Sequence, residues 1–321
     1  MNRILKKILY GVGILIGAIL LIGLVLAYFP TQSIVKNKGT SPEEAAVLRS
    51  EFKGPHHLVT TSDGETLFLR RWNPEIIDST KKEIAVLLFH GFTAHSGAGA
   101  YNTACTIIAK GGFTTFGLDY RGHGLSSGNR GDSPGKESWL ADLEETIAYV
   151  KSLGFPKVII LGHSLGVASA IYVTMAIPDE ISGLILLSGA YKGREGVSRP
   201  IPFFEQARII ASSVFRPSKQ VIEYYRDGMT GTDDPLFNFK YTLRFATLMD
   251  VKKLILPAQL NIPVLVAVGD KDELFEVEKV KELYDGVPGD KKEFMVLTDT
   301  YHAKFPDASW EQLVGWLDRN F

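Results

Sequence analysis

Cysteine and net charge are the two features that this sequence almost lacks. Cys105 is the only cysteine among 321 residues, and the formal net charge is −1 at pH 7. A lone cysteine excludes an intramolecular disulfide and argues against a cysteine-based zinc site. The near-neutral charge gives no electrostatic basis for binding nucleic acid. The remaining composition, 45% hydrophobic and 22% charged, is sufficient for one large α/β core or two smaller ones.

Charge is absent altogether from the apolar segment Ile8–Phe29, which has 22 residues. As a helix it would extend about 33 Å, enough to cross the ~30 Å hydrocarbon core of a bilayer. A short basic tail, residues 1–7, precedes it with three basic residues, and Lys36 and Lys38 follow it. The slight excess of positive charge before the segment favours a cytoplasmic tail and an extracytoplasmic remainder. We therefore predict a single-pass transmembrane anchor over residues 8–29.

Two other interpretations of residues 8–29 remain open. A cleaved signal sequence would make the protein secreted, and "VLA", which ends at Ala27, is a suitable cleavage site. The apolar region of a signal sequence usually has only ~7–15 residues, however, which favours the anchor. A buried helix of a soluble domain is the third interpretation.

The segment 30–54 is polar and interrupted by prolines and glycines, so we interpret it as a linker. Beyond it, short β-rich runs alternate with segments of helical length, at 138–153, 165–177, 277–284 and 309–319. The first two runs are joined by "SDG", a hairpin signal, and the later alternation predicts a mostly parallel sheet with helices on both faces. The runs are "HHLVTT", "ETLFLRRW", "EIAVLLF", "FTTFGLD", "KVIIL", "GLILLS", "IPVLVAV" and "EFMVL".

About 75 residues separate "GLILLS" from "IPVLVAV", far more than one crossover helix requires. We assign residues 190–262 to an inserted helical cap, and residues 55–189 and 263–321 to an α/β core. The cap is interpreted as a subdomain with its own small core, as a lid that presents aromatic rings to an apolar substrate, or as both. Its aromatic residues include Phe203, Phe204, Phe215, Tyr224, Tyr225, Phe237, Phe239, Tyr241 and Phe245.

The motif "GHSLG", Gly162–Gly166, satisfies G-x-S-x-G and lies between a predicted strand and a predicted helix. A serine exposed at the end of a central strand adopts a strained backbone, and the flanking glycines leave room where strand and helix nearly touch. The positive end of the helix would also stabilise an anionic intermediate. We therefore predict Ser164 as a nucleophile, with Gly162 and Gly166 as the glycines of its turn.

A serine hydroxyl needs a base, which on this architecture comes late in the chain, after an acid. His302, in "VLTDTYHAKF", is the only histidine after Ser164 and follows the last predicted strand, so we predict it as the catalytic base. Two acids, Asp270 and Asp272, follow the strand "VLVAV". Either carboxylate could accept the far imidazole N–H, and their spacing alone does not separate them.

The other half of an oxyanion hole is predicted in "VLLFHGFTAHS", where a strand is followed by His90, Gly91 and Phe92. The backbone N–H groups of Phe92 and Leu165 are expected to converge on the oxyanion. His90 is expected to hold this loop by hydrogen bonds. His123, on the loop after a later strand, is expected to shape the site rather than to act in it.

The segments "HGF" at 90–92, "LDYRGHGLSSG" at 118–128, "GHSLG" at 162–166, "GDKDELF" at 269–275 and "YHAKF" at 301–305 together resemble the α/β-hydrolase superfamily. Within it, the chain looks most like the monoacylglycerol lipase and lysophospholipase group, over about residues 55–321. The resemblance implies an eight-stranded sheet, Ser-Asp-His chemistry, and no metal or cofactor. The acid of the group is the fourth position of G-x-x-D, which here is Asp272, with Asp270 as the second choice. The group usually carries H-G-x-G-E-H, whereas this chain has "HGFTAH".

The sequence thus predicts a membrane-tethered serine ester hydrolase that acts on a lipid-like acyl ester, such as a monoacylglycerol or a lysophospholipid. An aminopeptidase or amidase could use the same catalytic residues with acidic cap residues that bind a substrate ammonium. Candidates for that role are Glu195, Glu205 and Glu223. A catalytically silent ligand-binding protein of the same fold is the third hypothesis. Dehalogenases are disfavoured because they place a carboxylate where this chain has Ser164.

Overall fold

The computed structural model describes residues 3–30, 33–76, 78–197, 199–226, 228–249 and 256–321. Residues 1–2 of the predicted tail and 31–32 of the predicted linker lie outside the described residues. So do residues 198, 227 and 250–255 of the predicted cap.

The core of the chain is one eight-stranded sheet, and two short strands form a separate pair. The strands are β1 (His56–Thr60), β2 (Thr66–Trp72), β3 (Ile84–Phe89), β4 (Thr114–Asp119), β5 (Lys157–His163), β6 (Gly183–Leu187), β7 (Ile222–Glu223), β8 (Lys240–Tyr241), β9 (Val264–Gly269) and β10 (Lys292–Leu297). The sheet order is β1-β2-β4-β3-β5-β6-β9-β10. β2 pairs antiparallel with β1 and β4, and the other pairs of this sheet are parallel. The predicted mostly parallel eight-stranded sheet is therefore confirmed.

The inner strands are apolar on both sides, which allows both faces of the sheet to be covered. Every side chain of β3 is buried. Val86 and Leu88 belong to one hydrophobic cluster, while Leu87 and Phe89 belong to the other. Successive side chains of a strand point to opposite faces, so a continuous apolar run is what a strand buried on both faces requires.

Helices cover the two faces of the sheet. The α-helices of the described residues are α1 (Arg3–Tyr28), α2 (Pro42–Glu51), α3 (Gly99–Lys110), α4 (Lys136–Ser152), α5 (Leu165–Ala176), α6 (Phe203–Phe215), α7 (Leu243–Ala246), α8 (Val277–Gly286) and α9 (Asp307–Asn320). α3 and α9 share one hydrophobic cluster, and α4, α5 and α8 share the other. Helices on both faces were predicted, and this is confirmed. α3 itself was not predicted, because Ala98 at its N-cap makes no side-chain hydrogen bond and gives no start signal.

The predicted linker, residues 30–54, contains α2, which was not predicted from the sequence. α2 begins with a capping box, in which Ser41 and Glu44 each accept a hydrogen bond from the backbone of the other. Its proline lies in the first turn, where proline is compatible with a helix. Upstream, Asn37 Nδ2 donates to the carbonyl oxygens of Thr232 and Asp234, at 2.9 Å each. The chain before α2 is therefore held against residues of the predicted cap.

α1 has the length and the composition of a membrane span. It has 26 residues, and its most apolar 18-residue window has a mean hydropathy of 2.7 with none of the window buried. A membrane anchor and a signal sequence both fit these properties, as predicted. A buried helix of a soluble domain does not, because the side chains of this window are exposed.

Candidate active site

Ser164 lies at the turn between β5 and α5. Its φ of 56° and ψ of −115° place a residue other than glycine in a sparsely populated region of backbone conformation. A Cβ on Gly162 would lie 2.2 Å from the carbonyl oxygen of Gly166, and a Cβ on Gly166 would lie 2.0 Å from that of Phe89. Both positions require glycine because any side chain would push α5 away from the sheet. The motif G-x-S-x-G predicts such a strained strand-to-helix turn.

His302 lies in the loop between β10 and α9, and its imidazole is within hydrogen-bonding distance of two other side chains. Nε2 lies 3.1 Å from Ser164 Oγ, and Nδ1 lies 3.1 Å from Asp272 Oδ2. A carboxylate can only accept, so Nδ1 carries the hydrogen and Nε2 presents its lone pair to the serine hydroxyl. In this tautomer the ring is oriented to take the proton of Ser164.

The two candidate acids, Asp270 and Asp272, have different environments. Asp272 is buried, and its Oδ1 accepts the backbone N–H groups two and three residues along the chain, at 2.8 and 2.9 Å. Burial opposes ionisation, but the His302 imidazole and these amides outweigh it and hold the pKa of the Asp272 carboxyl below its ordinary value. Asp270 Oδ1 instead accepts the backbone N–H of Thr300 at 3.2 Å. The structure therefore places Asp272, rather than Asp270, against the imidazole.

The loop after β3 approaches Ser164 from another side. Gly91 and Phe92 line the same cavity as Ser164. Within the described ranges, the N–H groups of Phe92 and Leu165 donate no hydrogen bond to the protein, so both are available to an oxyanion. The ring of Phe92 is buried and stacks on Tyr241 of the cap, with centroids 3.9 Å apart. Phe92 thus joins the loop after β3 to Tyr241 of the predicted cap.

His90 and His123 are buried hydrogen-bonding residues of this region. His90 Nδ1 lies 2.8 Å from Gly91 O, and its Nε2 accepts the N–H of Tyr120 at 3.3 Å. Burial lowers the pKa of His90 to about 4, so the ring is neutral. His123 Nδ1 lies 3.0 Å from Arg121 O, and burial lowers its pKa well below the ordinary value. The bonds of His90 are those expected of a residue that holds the loop after β3.

A chain of hydrogen bonds that was not predicted joins the loop after β3 to His302. Gly91 N–H donates to Tyr101 Oη at 2.8 Å, and Tyr101 Oη lies 2.6 Å from His163 Nδ1. His163 Nε2 lies 2.9 Å from the carbonyl oxygen of His302, which fixes the hydrogen on Nε2 and makes Tyr101 the donor to Nδ1. Burial lowers the pKa of His163 to about 3, so this ring stays neutral. His163 is the variable residue of G-x-S-x-G, and the motif carries no signal for this role.

A cavity of about 420 Å³ opens at Ser164 and His302, a volume within the range of small-molecule sites. Of the cap aromatics, Tyr224 and Phe237 line it, whereas Phe203 on α6 is 85% exposed. In the part of the chain that the structure describes, no group of three or more His, Cys, Asp or Glu residues is placed to hold a metal ion. The apolar wall comes from core and cap together, and includes Phe92, Ala94, Met229, Phe237, Leu274 and Phe305.

The chain matches the model of one protein family over most of its length. Residues 80–308 match a family described as serine aminopeptidase, S33. This range is more than two thirds of the 321 residues, and it contains Ser164, Asp272 and His302.

Individual relatives point to the same fold. The chain is 27% identical to a monoacylglycerol lipase of Mycolicibacterium smegmatis over 264 residues, which cover 77% of this chain and 90% of the relative. It is 28% identical to an uncharacterised abhydrolase domain-containing protein of Dictyostelium discoideum over 273 residues, 80% of this chain but only 28% of that protein. A soluble variant of monoglyceride lipase from Saccharomyces cerevisiae, solved with a substrate analogue, aligns with a TM-score of 0.64 at 17% identity. That alignment covers 90% of this chain and 99% of the solved chain, and it confirms the predicted fold.

Proposed function

Because the chain belongs to the serine aminopeptidase S33 family of α/β-hydrolases, we propose that it is an ester hydrolase that acts on lipid-like acyl esters. The main observation that supports the proposal is that Ser164 is hydrogen-bonded to His302, and His302 to Asp272, beside a largely apolar cavity. Likeness to the monoacylglycerol lipase of Mycolicibacterium smegmatis supports a monoacylglycerol or a similar ester as the substrate.

In the proposed mechanism Ser164 is the nucleophile and His302 the base. His302 Nε2 takes the proton of Ser164 as Oγ attacks the ester carbonyl, and Asp272 stabilises the imidazolium that forms. The oxyanion is held by the N–H groups of Phe92 and Leu165, and by the positive end of α5. The imidazolium then protonates the leaving alcohol. A water deprotonated by His302 attacks the acyl-enzyme and releases the carboxylic acid and free Ser164.

An aminopeptidase would need an unpaired acid near the nucleophile to bind the ammonium of its substrate. Glu195, Glu205 and Glu223, the cap acids considered for this role, do not line the cavity. Each lies near a basic residue instead, the partners being Lys192, Arg199 and Lys240.

Among the described residues, the acids that line the cavity are Asp234 and Glu273, and each has a basic or imidazole partner. Asp234 lies 3.0 Å from His95 Nε2, and Glu273 lies 2.8 Å from a guanidinium nitrogen of Arg226. A substrate ammonium would have to compete with one of these partners for the carboxylate. The arrangement therefore favours an uncharged ester over an aminoacyl amide.

A hydrolysis panel on the purified full-length protein in detergent micelles tests the substrate class. It compares monoacylglycerols, lysophospholipids, short p-nitrophenyl esters and aminoacyl amides by kcat/KM. We expect kcat/KM for the best monoacylglycerol to exceed that for the best amide by about 10- to 100-fold. The ammonium group of an aminoacyl amide would lack a charge-assisted hydrogen bond to the cavity, which is worth roughly 1.5–3 kcal/mol. A preference for the amides would refute the ester assignment, and no turnover of any compound would favour the ligand-binding hypothesis.

We also propose that α1 anchors the protein in a membrane, with the catalytic domain extracytoplasmic. The C-terminal end of α1 contacts α6 of the cap: Ala27 O lies 3.4 Å from Ser212 Oγ and 3.4 Å from a guanidinium nitrogen of Arg216. That guanidinium group lies 4.5 Å from the centre of the Tyr28 ring. Cleavage after Ala27 would remove the carbonyl group that Ser212 and Arg216 contact, so these two contacts of Ala27 favour an anchor over a cleaved signal sequence. Beside them α6 exposes apolar side chains that a bilayer would cover, namely Phe203, Ile210 and Val214.

Substitution of Leu20 by arginine tests the anchor. An arginine in the middle of a span costs about 2.5–3.5 kcal/mol, so we expect Leu20→Arg to shift the protein from the membrane fraction to the soluble fraction. Leu48→Arg on α2 is the matched control, because Leu48 is an exposed leucine outside the span. Carbonate extraction and immunoblotting measure the distribution, and the mass of the parent protein shows whether residues up to Ala27 are retained. A parent protein found only in the soluble fraction would refute the anchor.

A further inference from the structure

Glu273, the residue after Asp272, binds two partners at once in the wall of the cavity. Its Oε2 accepts a hydrogen bond from the backbone N–H of His302 at 2.9 Å. Its Oε1 accepts one from the guanidinium group of Arg226 at 2.8 Å. Arg226 comes from the cap region, whereas Glu273 and His302 lie on loops of the core. One carboxylate therefore connects the cap to the residue that we propose as the base.

The hydrogen bond from the His302 N–H to Glu273 helps to fix the His302 backbone, because this residue lies outside any helix or strand. Residues 298–306 form an irregular segment between β10 and α9. The backbone of His302 is held on both sides, by Glu273 at its N–H and by His163 at its carbonyl oxygen. These bonds fix the backbone from which the imidazole extends, and Asp272 holds the ring. A misplacement of about 1 Å at a reacting group can lower a rate by about 100-fold.

Glu273 is charged in this position. Its partial burial opposes ionisation, but the His302 amide and the Arg226 guanidinium group outweigh the burial and hold the pKa of its carboxyl below the ordinary value. A charged acceptor binds an N–H group more strongly than a neutral one. The ionised carboxylate therefore holds the backbone of His302 more firmly than an amide oxygen would.

The cap also contacts the neighbours of Glu273. Arg194, another residue of the cap region, donates from its guanidinium group to the carbonyl oxygen of Asp272 at 3.1 Å. Its backbone N–H donates to the carbonyl oxygen of Leu274 at 2.7 Å. The loop that carries Glu273 is thus held by the cap at three successive residues.

We propose that Glu273 is a positioning residue for His302, and that Arg226 couples the placement of the cap to the placement of the base. The inference rests on the function proposed above, in which His302 deprotonates Ser164. Glu273 acts through the backbone of His302, and Arg226 acts through Glu273, so neither side chain needs to touch the reacting atoms. Where the cap moves away from the core, the loop that carries His302 loses one of its supports.

Kinetic constants for p-nitrophenyl butyrate, measured on full-length protein in detergent micelles, test this proposal. Glu273→Ala removes both contacts, and we expect kcat to fall about 30- to 100-fold with KM within about 3-fold of the parent. Glu273→Gln keeps an oxygen for the His302 N–H, and Arg226→Met removes only the cap contact, so each is expected to lower kcat about 3- to 10-fold. Arg199→Met is the matched control with an unchanged kcat, since Arg199 pairs with Glu205 on the exposed cap surface, where ion pairs contribute little.

A double variant shows whether Arg226 acts through Glu273 or whether the two residues affect kcat independently. Arg226→Met combined with Glu273→Ala is expected to be no slower than Glu273→Ala alone, because Arg226 acts through Glu273. Additive losses would overturn the coupling, and an unchanged kcat or a change in KM alone in Glu273→Ala would overturn the positioning role. If Glu273→Ala does not fold, an unchanged kcat in both Glu273→Gln and Arg226→Met overturns the proposal. A parent protein that hydrolyses no ester would refute the proposed function instead, so the two failures are distinguishable.

Discussion

Replacing Ser164 by alanine is expected to lower kcat for ester hydrolysis by a factor of about 10⁴ or more. Without Oγ no acyl-enzyme forms, and only the cavity and the oxyanion N–H groups remain to assist direct attack by water. The fold is expected to survive, because the strain of a φ of 56° is similar for alanine and serine. Only the side-chain hydrogen bond to His302 is lost. The cost in stability is about 1 kcal/mol, which does not unfold an ordinary domain.

A fluorophosphonate probe measures this prediction independently of the substrate. We expect the parent protein to be labelled at one serine, and Ser164→Ala not to be labelled. Ser152→Ala is the control, because Ser152 is exposed at the end of α4 and its hydroxyl only caps the carbonyl oxygen of Tyr149 at 2.7 Å. Labelling of Ser164→Ala at the parental rate would place the nucleophile elsewhere. Failure of the parent protein to react would favour a silent ligand-binding protein.

The turn at Ser164 could be located from the sequence because its requirements are local. Gly162 and Gly166 lie within two residues of Ser164, and each is needed where a Cβ would meet backbone oxygen at 2.0–2.2 Å. The sheet could be predicted for a similar reason, since each strand that is buried on both faces is a continuous apolar run. The order of these segments along the chain then restricted the predicted base to His302, the only histidine after Ser164.

The hydrogen bonds that support the site could not be predicted, because their partners are far apart along the chain. Tyr101 and His163 are separated by 62 positions, and Arg226 and Glu273 by 47. No local pattern states which donor will meet which acceptor across a cavity. α2 is a different case: its capping box at Ser41 was a local signal, and the proline beside it was interpreted as a break.

Substitution of Asp272 by asparagine is expected to lower kcat by about 10⁴-fold, whereas Asp270→Asn is expected to leave kcat within about 3-fold of the parent. Two backbone N–H groups bind Asp272 Oδ1, so an asparagine keeps its oxygen there and turns its NH₂ group toward His302 Nδ1. The imidazole then accepts at Nδ1 and carries its hydrogen on Nε2, where it faces the hydroxyl of Ser164. A ring in this tautomer cannot take the serine proton.

Asp270 is the matched control because it was the second acid that the sequence allowed. Its Oδ1 accepts only the Thr300 N–H among the described residues, and an asparagine oxygen keeps that bond. Rates for p-nitrophenyl butyrate, with thermal unfolding midpoints to show that both variants are folded, distinguish the two positions. A large loss in Asp270→Asn with a small one in Asp272→Asn would reverse the assignment of the acid. Equal losses in both would show that the tautomer of His302 is not set by one carboxylate, since of these two acids Asp272 alone lies within hydrogen-bonding distance of Nδ1.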